Sequence, residues 1–96
     1  MGATTFMQKA KGTSPGNAFT NAVTKAQYDH GHGGYTGTIA EKHDFIVIAV
    51  PDGEDPRGFA AQLIDSGDPR IDNKWGPAGC VQSRPGEWLF FGWASC

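Results

Sequence analysis

The sequence predicts one α+β domain: a mainly antiparallel sheet of four to five strands with two helices packed on one face. Three observations lead there. The first is size, since 96 residues hold one hydrophobic core and domains cluster at about 100–150 residues. The second is the order of patterns along the chain: strand, helix, one or two strands, helix, two strands. A helix layer on a sheet accommodates that order. The third is punctuation. The 14 glycines and 6 prolines fall mostly between the periodic segments, which gives short elements and long loops. An aromatic content of 11% excludes a disordered chain, and the absence of a Gly-X-Y period excludes a collagen-like one.

The elements follow in order. Residues 4–10 (TTFMQKA) carry strand formers and end at Gly12. Ser14 caps a helix and Pro15 takes its first position, where a missing N–H costs nothing. Ala18, Phe19, Ala22, Val23 and Ala26 then recur at helical spacing, so the helix runs to about Tyr28. Residues 30–37 (HGHGGYTG) are too rich in glycine for regular structure. Residues 38–40 read as a short strand. Residues 44–50 (DFIVIAV) are a nearly unbroken apolar run, of the kind buried on both faces of a sheet. Asp55 and Pro56 open a second helix, with Phe59, Ala60, Leu63 and Ile64 as its buried stripe and Gly67 as its left-handed stop. A loop over residues 68–79 follows. Residues 80–83 and 87–93 then form a hairpin through Arg84-Pro85-Gly86, because Pro then Gly suits the centre of a type II turn.

Charge excludes several functions. Eight basic residues against ten acidic ones give a net charge of −2. The basic residues are scattered, and duplex nucleic acid needs a patch that neutralises many phosphates. No run approaches the ~18 apolar residues of a membrane span. Residues 1–10 carry neither the charged head nor the apolar stretch of a signal peptide. The chain therefore reads as soluble and cytoplasmic. Cys80 and Cys96, two and widely spaced, read as free thiols without a catalytic role. With 39% apolar residues the core is modest. A domain this small buries only about 60–65% of its unfolded surface, so a homo-dimer is expected to cover the remainder.

The loop Asp29-His30-Gly31-His32-Gly33-Gly34-Tyr35-Thr36-Gly37 joins open backbone to ring and hydroxyl side chains, with Lys42 close behind. Glycines let backbone N–H groups approach an anion, and the rings stack or hydrogen-bond. It matches neither a phosphate-binding Walker loop nor the dinucleotide fingerprint. The bland alternative is an ordinary loop whose Tyr35 packs on the sheet. A metal site needs three or four ligands; His30, His32 and His43 with Asp29 do not make a strong set, and no metal, cofactor or catalytic residue is assigned. Lys74 and Trp75 lie in a second Gly/Pro loop, where Trp75 is either a core plug or an exposed recognition ring. Trp88, Phe90, Phe91 and Trp93 alternate along the last strand, which is therefore core on both faces or an interface on one. The expected binding site unites the two loops: His30, His32, Gly33, Gly34, Tyr35, Thr36, Lys42, Lys74 and Trp75, all at one edge of the sheet.

Three segments, GHGGYTGTIAEK (31–42), KWGPAG (74–79) and LFFGWAS (89–95), resemble a family of small bacteriophage proteins without an assigned activity. The likeness covers most of the chain and carries no functional residue with it. It implies a setting, a phage accessory protein in the host bacterial cytoplasm, and a common role there is antagonism of host antiviral defence. Three functions are thus in competition. One is a non-enzymatic binding protein that inhibits a defence effector or sequesters a small anionic nucleotide. Another is a small nucleotide-processing enzyme with a histidine of the glycine loop as general base. The last is a regulatory or structural phage module with no immune role.

Overall fold

The computed structural model describes residues 2–30 and 37–95, His30 by its backbone. One sheet holds four strands in the order β1-β4-β3-β2. β1 (Ala3–Lys11) and β4 (Glu87–Ser95) pair antiparallel along their whole length. β3 (Ala78–Arg84) forms an antiparallel hairpin with β4, with a register shift between Gln82 and Arg84. β2 (Phe45–Val47) pairs with β3 in parallel. The fold is α+β as expected, but the sheet is mixed. The parallel pair exists because α2 (Pro56–Ser66) carries the chain from the end of β2 back to the start of β3. A parallel neighbour requires such a crossover.

The two helices do not share a face. The cluster around α1 (Pro15–His30) contains Ala18, Ala22 and Ala26 with Phe6, Cys80, Trp88, Phe90 and Ala94. The cluster around α2 contains Ala60 and Ile64 with Ile71, Val81, Leu89 and Phe91. Consecutive residues of β4 thus belong to opposite clusters, as strand alternation requires. The cause lies in the handedness of crossovers. β1, β2 and β3 all run the same way. α1 takes the chain from one edge of the sheet to the other, and α2 brings it partway back. Connections of this kind share one hand, so reversing the direction of travel moves the helix to the other face. Both faces are covered, and Phe90 and Phe91 are each 0% exposed. The last strand is core. The rings of Trp88, Phe90 and Phe91 are used inside the chain.

Local chemistry sets the elements much as read. Ser14 Oγ accepts from Asn17 N–H at 3.1 Å, and Asp55 Oδ2 accepts from Gly58 N–H at 2.9 Å. Gly67 ends α2 at φ 69° and donates to the Ile64 carbonyl. Ala18, Ala22 and Ala26, all at most 2% exposed, give α1 a smooth ridge that lies close on the sheet. Gly79 serves a similar closeness, because the Phe91 ring covers it and a Cβ there would meet the ring at 2.5 Å.

Two strand expectations change. Residues 38–40 form no strand; Ile39–Glu41 is a 3₁₀ turn capped by Thr38, whose side chain accepts from Ala40 N–H. The apolar run 44–50 yields only three strand residues and lies at the sheet edge. Ile46 and Ile48 pack into the α2 cluster, while Val47 on the other face stays 57% exposed. On that face α1 meets β2 at Phe45, whose ring centre lies 5.0 Å from that of Phe19.

Candidate functional site

Both helices run back to the edge where β1, β2 and β3 begin and β4 ends. The chain leaving α1 and the chain leaving α2 therefore arrive at the same edge, although on opposite faces. Glu41 and Lys42 tie them together there. The Glu41 carboxylate accepts from the Ser95 N–H and hydroxyl through Oε1 and from Gly37 N–H, at 2.6 Å, through Oε2. This fixes the chain after the glycine loop to the end of β4. Lys42 Nζ donates to the carbonyls of Lys74, at 3.1 Å, and Gly76, at 2.8 Å, and sits 5.9 Å from the centre of the Phe6 ring.

Lys42 is only 4% exposed. Burial pushes its pKa below the ordinary lysine value, and the neighbouring Glu41 carboxylate works against that shift. Its ammonium group holds one loop to the other. The clamp brings Lys42 beside Lys74 and Gly76 as the sequence expectation placed them, but turns its charge inward.

Lys74 and Trp75 face outward from the second loop. Ile71, 1% exposed, roots that loop in the core. Asp68 begins it: its carboxylate takes Arg70 Nε and Nη2, both at 2.9 Å, and these bonds hold the Asp68 carboxyl down to about 2. Asn73 then forms a tight turn, accepting from Trp75 N–H through Oδ1 at 2.8 Å and from Gly76 N–H through its carbonyl at 2.9 Å. That turn presents Trp75, which is 62% exposed. Lys74 Nζ lies 5.1 Å from the Trp75 ring centre and 3.3 Å from the Gly2 carbonyl. Alongside runs a groove of about 520 Å3 lined by Ala3, Asp72, Asn73, Lys74, Trp75 and Trp93.

His30 closes α1 at this edge. His32, Gly33, Gly34, Tyr35 and Thr36 lie outside the described residues. Trp93, Ala3 and Asp72 join the groove without having been expected in it. The signal for Trp93 was its parity, which places it on the α2 face with Leu89 and Phe91 and at the strand end. Ala3 becomes visible only through its pairing opposite Ser95.

Elsewhere the chemistry is quiet. Burial pushes the Cys80 thiol up to about 12, so it stays protonated at neutral pH and is a poor nucleophile. Cys96 lies outside the described residues. Among the described residues no three of His, Cys, Asp and Glu are placed to share a metal ion, and no helix is long and apolar enough to cross a membrane. Comparison with protein-family models, curated proteins and solved structures finds no match to this chain.

Proposed function

We propose that this is a non-enzymatic binding protein that grips a protein target through the edge carrying Trp75 and Trp93. The resemblance of its three motifs supplies the setting: a phage accessory protein whose target is an effector of host antiviral defence. The observation that carries the binding reading is the presentation of Trp75. A large ring is held out by a rigid asparagine turn, beside a half-buried second tryptophan and a cation. Tryptophan, tyrosine and arginine are where binding energy concentrates in protein interfaces, and a cation over an aromatic face adds to it. A ring that is 62% exposed stands on a rim. Small-molecule sites bury about 70–90% of the ligand, and a rim suits a broad partner better.

One observation favours a second reading. The Lys74 ammonium beside the Trp75 ring offers a cation next to a stacking face, which is what a nucleotide requires. Nucleotide sequestration is therefore the alternative. Native mass spectrometry of the protein recovered from phage-infected bacterial lysate, followed by incubation with a nucleotide panel and heat release, separates the readings. A protein target gives a complex of fixed stoichiometry that Trp75→Ala loses. Sequestration returns an intact nucleotide, and an enzyme returns a product. Recovery of an altered nucleotide would end the non-enzymatic reading.

A further inference from the structure

β1 is an edge strand of nine residues, and strand parity fixes where its backbone points. Ala78 N–H donates to the Asp44 carbonyl and Ile48 N–H to the Cys80 carbonyl, so Ala78 and Cys80 turn toward β2. Gly79 and Val81 then turn toward β4, where they stand opposite Phe91 and Leu89. That leaves Trp88, Phe90, Gly92 and Ala94 to bond β1, at Ala10, Gln8, Phe6 and Thr4. By alternation, the N–H and C=O groups of Ala3, Thr5, Met7, Lys9 and Lys11 point out of the sheet. Gln8 Nε2 covers the Lys9 carbonyl at 3.2 Å, and Asn21 Nδ2 covers the Lys11 carbonyl at 2.8 Å. The outward groups of Ala3, Thr5 and Met7 have no partner among the described residues.

Cavities flank this edge on both faces. On the α2 side, Ala3 opens into the groove beside Trp75 and Trp93. On the α1 side, Ala10 and Ala22 leave a cavity of about 390 Å3 that Lys11 and Lys25 also border. The two alanines have opposite parity and lie about 23 Å apart along an extended strand. An added strand would drop side chains alternately to the two faces and so reach both cavities.

Charge selects the occupant. β1 reads ATTFMQKAK, with two lysines and no carboxylate, and both Lys9 and Lys11 are exposed. Pairing two copies of this edge antiparallel would set two lysines at each end of the seam and no β1 carboxylate opposite either pair. Lysine on an edge strand works against self-pairing, whereas an acidic segment neutralises it. We infer that an extended segment of a protein partner adds to β1 as a fifth, antiparallel strand. It would be acidic at its N-terminal end against Lys9 and Lys11, with a bulky apolar side chain near its C-terminal end in the Trp75 groove. This rests on the protein-binding reading and supplies its mode: backbone hydrogen bonds for affinity and pockets for alternate side chains for selectivity.

The test uses a synthetic peptide that is acidic at its N-terminus, alternates Thr and Val, and carries Trp near its C-terminus. Hydrogen exchange of Ala3, Thr5 and Met7 amides should slow at least about tenfold on titration, while Phe6 and Gln8 stay slow throughout. Thr5→Pro should weaken the peptide at least about tenfold without lowering Tm, since the lost N–H faces outward. Should that variant fold poorly, the peptide decides alone. N-methylation in the register facing β1 should abolish binding, and methylation in the other register should not. Equal binding of both methylated forms, or no binding at millimolar peptide, overturns the inference. So does a free protein that is already dimeric with those amides protected. If Trp75→Ala loses the partner from lysate and Thr5→Pro keeps it, strand addition fails while the binding reading stands.

Discussion

β4 and the turn before β3 both carry large aromatic side chains, and the two sets meet opposite fates. Trp88, Phe90 and Phe91 are at most 7% exposed, while Trp75 is 62% exposed. Hydrophobicity does not separate them. β4 is a central strand between two helices on opposite faces, so every position from Trp88 to Gly92 is buried. Trp75 sits in a turn held by Asn73 beyond the sheet's edge, where neither helix extends. β4 thus belongs to the core, Trp75 stands outside it and carries the proposed binding role, and Trp93 lies at the boundary between them.

Substitution should divide the molecule the same way. The largest effect belongs to β4. Phe91→Ala removes a ring from the centre of the α2 cluster and should destabilise by about 3–5 kcal/mol, read as a lowered denaturant midpoint. A loss under about 1 kcal/mol would erase the contrast. Gly79→Ala sharpens it from the neighbouring strand: the new methyl collides with the Phe91 ring and should cost about 1–3 kcal/mol.

Lys42 comes next, because it belongs structurally to the interior although it touches the loop that carries Trp75. Lys42→Met strands the Lys74 and Gly76 carbonyls and should cost about 1–3 kcal/mol. Its pH signature has a defined sign. The folded pKa lies below the unfolded value of 10.5, so over that window the unfolded chain holds the proton more firmly. Stability then rises as pH climbs toward the unfolded pKa. Melting curves from about pH 8 to pH 10 should show wild type gaining on Lys42→Met across that range. A gap that stays constant with pH would place the Lys42 charge in water.

The smallest stability effect belongs to Trp75. Trp75→Ala should shift stability by no more than about 0.5 kcal/mol, as an exposed position does. A loss of several kcal/mol would make the ring a core plug and remove the contrast with β4.

Much of this arrangement was legible before the structure. Both helices, their serine and aspartate caps, the Gly67 stop and the final hairpin follow from local chemistry, which sequence displays directly. That Lys42 would lie beside the turn at Lys74 and Gly76 was also legible, since both helices run back the same way. What failed was long-range. The parallel pairing of β2 with β3 depends on a partner more than thirty positions away in sequence, and no local pattern in residues 44–50 encodes it. Without that pairing the reversal of crossover direction was invisible, so the helices were expected on one face and the fate of Trp88, Phe90 and Phe91 stayed open. Lys42 misled for a related reason. A lysine after a glycine loop looks like an anion ligand, and only the fold shows two carbonyls of a distant turn waiting for it.

Trp75 is proposed to serve binding and not folding. Native mass spectrometry of wild type and Trp75→Ala, each recovered from phage-infected bacterial lysate, tests it most directly when paired with their melting curves. Equal melting temperatures, a protein complex of fixed stoichiometry for wild type, and its loss in the variant are expected. A variant that melts like wild type and keeps the same partner would contradict that role.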